Sequence, residues 1–94
     1  MSGVSQPGRY SKRADRNQPD IVAALRKMGC LVFVMGYPFD LLVWHRLRWH
    51  VIELKDGGGR LTEAQERDIA AIGYAGAVKV VRSAPEALQA VMNG

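Results

Sequence analysis

The 94-residue chain lacks several features that would each indicate a particular class of protein. It has no apolar run of about 20 residues, the length that a membrane-spanning helix needs, because its longest apolar segment, residues 31–44, is interrupted by Gly36, Pro38 and Asp40. Its single cysteine, Cys30, excludes an internal disulfide and a zinc site built on several cysteines. The polar, basic start lacks the apolar stretch of a secretory signal. We therefore expect a single cytoplasmic domain with no membrane partner.

The net charge of +4 is concentrated in the N-terminal part of the chain. Residues 1–27 hold six basic and two acidic side chains, whereas residues 28–94 hold seven of each. Residues 1–14 show no periodicity, so we expect a flexible basic arm there and a single domain over residues 15–94. A basic arm on a neutral body favours a polyanionic partner, and a solvated tail is the alternative.

Apolar periodicity and capping signals predict seven elements in the order α-β-β-β-α-β-α. They are a helix beginning near residues 15–17 and ending before Gly29, strands over residues 31–35, 39–44 and 48–54, a helix beginning at Thr62, a strand over residues 77–81, and a helix after Ser83. Three consecutive strands predict an antiparallel meander, and the helix before the fourth strand favours a parallel pairing. The predicted fold class is α/β (α+β), with a mixed central sheet flanked by helices.

For the helix that begins at Thr62, the sequence predicts how the helix starts and which of its faces is buried. Thr62 and Gln65 have the spacing of a capping box, in which each side chain bonds a backbone N–H near the helix start. Ala64, Ile69 and Ile72 are expected to form the buried face of this helix.

Acidic residues lie inside apolar strands, where they are costly unless they are paired or bound to a metal. Glu53 and Lys55 alternate with Ile52 and Leu54, so the two charged side chains should share one face of the strand. If this strand forms a hairpin with the preceding one, Asp40 can reach the same face. Two carboxylates and a backbone carbonyl suit a hard cation such as Mg²⁺ or Mn²⁺. An ordinary ion pair at the end of a strand is the alternative.

Three segments in this order carry a resemblance to a known family. They are residues 36–43 (GYPFDLLV), residues 51–55 (VIELK) and residues 61–65 (LTEAQ). Together they resemble the PD-(D/E)xK nucleases, and more specifically the virus-type replication-repair nuclease (VRR-NUC) domain in its stand-alone, phage-like Holliday junction resolvase form. The resemblance covers roughly residues 15–83, which is most of the predicted domain.

The resemblance implies a restriction-endonuclease-like αβββαβ core and a role for each matching residue. Asp40, Glu53 and the Leu54 carbonyl would hold Mg²⁺ or Mn²⁺. Lys55 would be the catalytic lysine, and Gln65 would contact the attacked phosphate or the water network. The implied activity is hydrolysis of phosphodiester bonds in branched DNA, such as a Holliday junction or a flap, in the host cytoplasm if the source is viral.

The chain departs from the family pattern at two places. One extra residue, Phe39, separates Pro38 from Asp40. Many relatives place a glutamate on the first helix near the metal, where this chain offers Asn17, Gln18 and Asp20. Gln18 is expected on or near the inward face, and an amide there would weaken metal binding. The residues expected to contact DNA are Arg9, Lys12, Arg13, Arg16 and Gln18.

Two alternatives to an endonuclease stay open, and one expectation concerns assembly. The first alternative is a catalytically weak nucleic-acid-binding module that retains the nuclease fold, and the second is a protein-interaction domain that uses the turn between Trp44 and Trp49. A small core favours oligomerisation. We therefore expect a homodimer, which would also present two sites to a symmetric junction.

Four further features have competing interpretations. His45 and His50 are expected to be solvated turn residues rather than a metal pair. The cluster of Trp44, Arg46, Arg48 and Trp49 fits base stacking, a dimer contact or core packing equally well. Gly57-Gly58-Gly59 is not followed by the Lys-Ser/Thr of a phosphate-binding loop. Cys30 is expected to be a small buried apolar residue.

Overall fold

The computed structural model describes residues 16–72 and 77–93, and the predicted element order is found in it. The elements are α1 (Gln18–Lys27), β1 (Leu31–Val34), β2 (Leu41–His45), β3 (Arg48–Leu54), α2 (Glu63–Ile72), β4 (Val78–Val81) and α3 (Ala84–Asn93). The predicted basic arm, residues 1–14, lies outside the described residues, and so do Arg9, Lys12 and Arg13. Within the described residues, no helix combines the length and the apolar character needed to cross a bilayer.

The four strands form one mixed sheet in the order β1-β2-β3-β4. β1, β2 and β3 are an antiparallel meander, and β4 pairs in parallel with β3 after the α2 connection. A parallel neighbour needs a crossover of this kind because the chain must return to the end of the sheet at which β3 began. The predicted α/β class with a mixed sheet is therefore confirmed.

One face of the sheet, here named the covered face, packs against α1 and α3. Its strand residues form a single apolar core with residues of the two helices. They are Val32, Leu41, Val43, Ile52, Leu54 and Val81 from the sheet, with Ile21, Val22, Leu25, Ala87 and Val91 from the helices. The helix α1 ends at Lys27, shortly before Gly29, whose φ of +102° favours glycine.

The opposite face, here named the open face, is formed by the alternate residues of the same strands. The register places Leu31 beside Trp44 and Trp44 beside Trp49, and it places Phe33 beside Leu42 and Leu42 beside Val51. Glu53 and Val80 continue this face toward the other end of the sheet. The open face is therefore apolar and aromatic at the hairpin between β2 and β3, and charged at the end of β3.

The prediction for the buried face of α2 is wrong. Ala64 and Ile72 are exposed, Ile69 is half-buried, and Gln65 is the residue of this helix that is buried. The capping box with Thr62 turns Gln65 toward Glu53 of the sheet. A polar contact therefore sets the rotation of this helix, and apolar spacing alone does not report such a contact.

Both outer strands are short, and an arginine covers part of the β1 edge. Edge strands offer unpaired backbone groups that can pair with another chain. The Arg26 guanidinium Nη2 donates to the Val32 carbonyl oxygen at 3.0 Å. Because this bond occupies a carbonyl at the edge, it disfavours continuation of the sheet through β1.

Candidate active site

The pairing of β2 with β3 brings Asp40 and Glu53 to the same end of the open face. Leu41 lies opposite Ile52, so Asp40, one residue earlier, comes beside Glu53. Asp40 is 3% exposed and Glu53 is fully buried. The Leu54 backbone N–H donates to Asp40 Oδ2 at 2.8 Å, which holds the Asp40 carboxylate against the end of β3. The two strands therefore form the hairpin that Asp40 needs to reach the face of Glu53.

Two side chains meet the carboxylate of Glu53. The Gln65 amide Nε2 donates to Glu53 Oε2 at 2.6 Å, and Lys55 Nζ lies 3.4 Å from the same oxygen. The Lys55 side chain is 14% exposed, so the ion pair is largely shielded from water. Charge-assisted contacts of this kind are stronger in such surroundings than at an open surface. Glu53, Lys55 and Gln65 therefore form one connected group, and the strand register places Asp40 beside it.

Gln65 has the capping role that the sequence predicts, and its side chain also contacts Glu53. Its side-chain Oε1 accepts from the Thr62 N–H at 2.9 Å, and the Thr62 Oγ1 accepts from the Gln65 N–H at 3.1 Å. The predicted capping box is therefore present. The amide nitrogen of the same side chain remains for Glu53, so one glutamine both starts α2 and orients a buried carboxylate.

The donor atoms at the end of β3 are of the kind that a hard cation prefers. Asp40 and Glu53 place two buried carboxylates side by side, and the Leu54 carbonyl lies on the strand between Glu53 and Lys55. Among the described residues, no group of three or more His, Cys, Asp or Glu side chains is arranged to hold a metal ion. A set of two carboxylates and the Leu54 carbonyl suits Mg²⁺, which commonly takes one or two carboxylates and completes its shell with water or phosphate oxygens.

The loop after Lys55 is fastened by a residue that the sequence did not single out. Arg82 Nη1 donates to the carbonyl oxygens of Gly57 and Gly59, at 2.7 and 2.8 Å. The Arg82 carbonyl accepts from the Asn17 side chain at 2.9 Å. Arg82 therefore ties the loop beside the site to the end of β4 and to the start of α1. No spacing pattern marks this arginine, because its partners are backbone carbonyls 23 and 25 residues earlier.

The residues predicted to contact DNA are only partly described. Arg16 is exposed, and its backbone N–H donates to Asp56 Oδ2 at 3.1 Å, one residue beyond Lys55. Gln18 is half-buried at the first position of α1. The described chain therefore begins next to the candidate site.

The prediction that both histidines are solvated is wrong for His50. His50 is buried in β3 opposite Val43, and His45 is half-buried opposite Arg48. Burial lowers the pKa of His50, and the positive charges of Lys79, Arg48 and His45 lower it further. Strand alternation turns this side chain to the covered face, whereas Trp49 before it is exposed and Val51 after it is half-buried.

Cys30 is buried, as predicted, and its burial raises the pKa of the thiol. A raised pKa disfavours the nucleophilic thiolate. The structure therefore supports a packing role for this residue.

Comparison of the chain with family models, with curated proteins and with solved structures finds no match to any of the three. The functional interpretation therefore depends on the geometry of the site and on the motifs that carry the resemblance.

Proposed function

We propose that the protein is a metal-dependent endodeoxyribonuclease with a restriction-endonuclease-like core. One observation carries the proposal: the residues from three separate motifs meet at the end of β3, where Lys55 and Gln65 contact the buried Glu53 and the buried Asp40 lies beside it. An ordinary strand-end ion pair does not require the second buried carboxylate. The antiparallel meander followed by a crossover to a parallel strand also agrees with the core that the resemblance implies.

The residues present fit a magnesium or manganese ion, held by Asp40, Glu53 and the Leu54 carbonyl. When bound, such an ion lowers the pKa of a coordinated water and stabilises charge on a phosphate. Lys55, beside Glu53, is placed to neutralise charge on the attacked phosphate or to accept a proton from the attacking water. Gln65 orients the Glu53 carboxylate through the 2.6 Å hydrogen bond. Hydrolysis then forms a bond from the water oxygen to phosphorus and breaks one ester bond.

The basic arm supplies the proposed DNA contact. Arg9, Lys12, Arg13 and Arg16 precede α1, and the backbone of Arg16 is bonded to Asp56 beside Lys55. Since Arg16 lies beside the site, it could bind a phosphate next to the one that is cleaved. Phosphate contacts of this kind make affinity fall steeply with salt. The preference for branched DNA follows from the family resemblance, and a second site in a homodimer would suit it.

Cleavage assays with matched lysine variants test the proposal. Four-way, flap and linear DNA are incubated with the protein and Mg²⁺ or Mn²⁺. We expect wild type to cut branched DNA and Lys55→Ala to be slower by roughly 10²–10⁴-fold, the usual contribution of a proton-transfer group. Lys27→Ala, which changes an exposed lysine at the end of α1, is the control and should keep full activity. Equal rates for wild type and Lys55→Ala would refute the proposal.

The second candidate is a DNA-binding module with weak chemistry, and Gln18 favours it. Gln18 lies half-buried at the start of α1, where the family pattern has a glutamate. Titration of Mn²⁺ by calorimetry separates the two functions without a cleavage assay. Binding in wild type that is lost in Asp40→Asn supports the nuclease. Salt-sensitive DNA binding without any metal binding or cleavage supports the module.

A further inference from the structure

The outer edge of β4, at the opposite side of the sheet from β1, borders an open groove against α3. The groove has a volume of about 530 Å³. Its strand wall consists of residues 79–82, and its helix wall consists of Glu86, Gln89, Ala90 and Asn93. These helix positions have the spacing of a single helix face. We name this space the edge groove.

The backbone of β4 offers hydrogen-bonding groups to the edge groove. The Val81 carbonyl oxygen accepts from the Lys55 N–H at 3.1 Å, so the Val81 backbone groups point toward β3. The direction of the backbone groups alternates along a strand, and the N–H and C=O of Val80 therefore point outward. Val80 is also 36% exposed. An extended segment laid along this edge can form the ladder bonds of an added strand.

The two outer edges of the sheet differ in this respect. At the β1 edge, the Arg26 guanidinium already occupies the Val32 carbonyl oxygen. Within the described part of the chain, no side chain bonds the backbone of Val80. The β4 edge is therefore the one that remains open for pairing.

The charged side chains of the edge groove leave one positive charge without a partner. Arg82 Nη1 is bonded to the carbonyl oxygens of Gly57 and Gly59, and Glu86 Oε1 accepts from the Arg82 N–H at 2.7 Å. Lys79 is half-buried, and no carboxylate among the described residues forms an ion pair with it. The groove therefore suits a ligand that brings a negative charge beside Lys79.

We infer that the edge groove binds an extended segment of a partner protein, which pairs with β4 and places an acidic side chain beside Lys79. The inference does not depend on the nuclease proposal, because it uses neither the Glu53 contacts nor any DNA contact. In strand addition of this kind, main-chain hydrogen bonds supply affinity and side-chain contacts supply specificity. A lysine on an edge strand also disfavours pairing with strands that lack an acidic side chain. Lys79 therefore selects the partner as well as attracting it.

The charge of the groove disfavours two other occupants. The basic arm begins near the groove, since the Asn17 side chain donates to the Arg82 carbonyl oxygen at 2.9 Å. Residues 1–14, however, hold three basic side chains and no acidic one, so the arm would place like charge beside Lys79. Nucleic acid is bound by several cations, and in this groove the carboxylate of Glu86 would oppose a phosphate.

Nuclear magnetic resonance titrations with a matched pair of peptides test the inference. The first probe is a short peptide of threonine and valine with blocked ends and one central glutamate, and the second has lysine in place of the glutamate. We expect the glutamate peptide to shift the amide signal of Val80 with a dissociation constant of roughly 0.1–1 mM. The lysine peptide should bind at least about tenfold more weakly, because like charges then meet beside Lys79.

Two variants separate the side-chain contact from the backbone pairing. Lys79→Glu should reverse the preference, so that the lysine peptide binds more tightly than the glutamate peptide. Lys27→Glu, which changes an exposed lysine of α1, is the control and should bind both peptides like wild type. Val80→Pro removes the outward N–H at an edge position, where proline is tolerated, and should abolish the shifts of the neighbouring amides. If Val80→Pro does not fold, the reversal in Lys79→Glu still decides the question.

Several outcomes would overturn the inference. They are no binding of the glutamate peptide by wild type, equal binding of the two peptides, an unchanged preference in Lys79→Glu, and normal binding by a folded Val80→Pro variant. Slow hydrogen exchange of the Val80 amide without any peptide would also do so, because the edge would already be occupied. Protection that rises with protein concentration would identify a second copy as the occupant, and protection independent of concentration would identify the arm.

Discussion

The two faces of the sheet are formed by the same four strands but differ in burial and in chemistry. On the covered face, strand side chains such as Val43, Ile52 and Leu54 are fully buried beneath α1 and α3. On the open face, the neighbouring residues of the same strands place Phe33 and Trp49 at one end and Glu53, with its contacts to Lys55 and Gln65, at the other. Adjacent residues such as Val51 and Ile52 therefore have different roles. The stability of the fold is concentrated on one face, which leaves the other available for polar and interaction residues.

Truncation of adjacent residues in β3 should give the largest contrast between the faces. Ile52→Ala leaves a cavity in the covered face and should lower the free energy of unfolding by about 2–5 kcal/mol. Val51→Ala, one residue earlier on the open face, should cost less than about 1 kcal/mol in unfolding free energy, because the Val51 side chain is only half-buried. Urea unfolding of both variants at low micromolar concentration measures the difference. Similar costs would show that the open face is as tightly packed as the covered one.

The helix α2 contacts the open face through the hydrogen bond from Gln65 to Glu53. Gln65→Ala removes the capping acceptor and the donor to Glu53, so it should cost about 1–3 kcal/mol in unfolding free energy. Thr62→Ala removes a capping hydroxyl but leaves the Glu53 contact, and it should cost about 1 kcal/mol. Equal losses for the two variants would mean that the bond to Glu53 adds no stability.

Arg82 connects the loop of the candidate site to elements of the covered side, and its loss should act locally. Arg82→Ala should change global stability by less than about 1 kcal/mol, because its bonds are exposed. Hydrogen exchange of the Gly59 amide, which donates to the Asp56 carbonyl at 2.8 Å, should become faster. Arg60→Ala, an exposed change beside the same loop, is the control. An unchanged exchange rate in Arg82→Ala would contradict the proposed fastening of the loop.

His50 is a buried titratable residue of β3 on the covered face. Its substitution should change stability less than the substitutions described above. The pKa of His50 is lowered from 6.5 by burial and by the charges of Lys79, Arg48 and His45. The unfolded chain therefore binds a proton more readily than the folded one, so stability present above about pH 6.5 should decline as pH falls further. His50→Gln should weaken this dependence, as measured by urea unfolding at pH 7.5 and about pH 5.5. The same pH slope in both proteins would exclude His50 as its source.

Individual residues show which features of the fold and of the candidate site the sequence predicts. The alternation in residues 51–55 correctly separated Glu53 from its apolar neighbours, and the spacing of Thr62 and Gln65 correctly indicated a capping box. The rotation of α2 and the burial of His50 were predicted wrongly. Local periodicity cannot show which side of an element another element will cover. The apolar spacing of Ala64 and Ile72 was therefore misleading, and a polar contact with Glu53 decided the orientation.

The sequence by itself determined the order of the elements, the alternation of side chains along each strand and the candidate residues, because these depend on local backbone preferences and on spacing. Only the tertiary structure decided that Asp40 lies beside Glu53, that Gln65 reaches the same carboxylate and that Arg82 holds the loop. It also decided which face of the sheet remained uncovered. These outcomes depend on strand register and on helix placement, which are set by contacts between residues far apart in the chain.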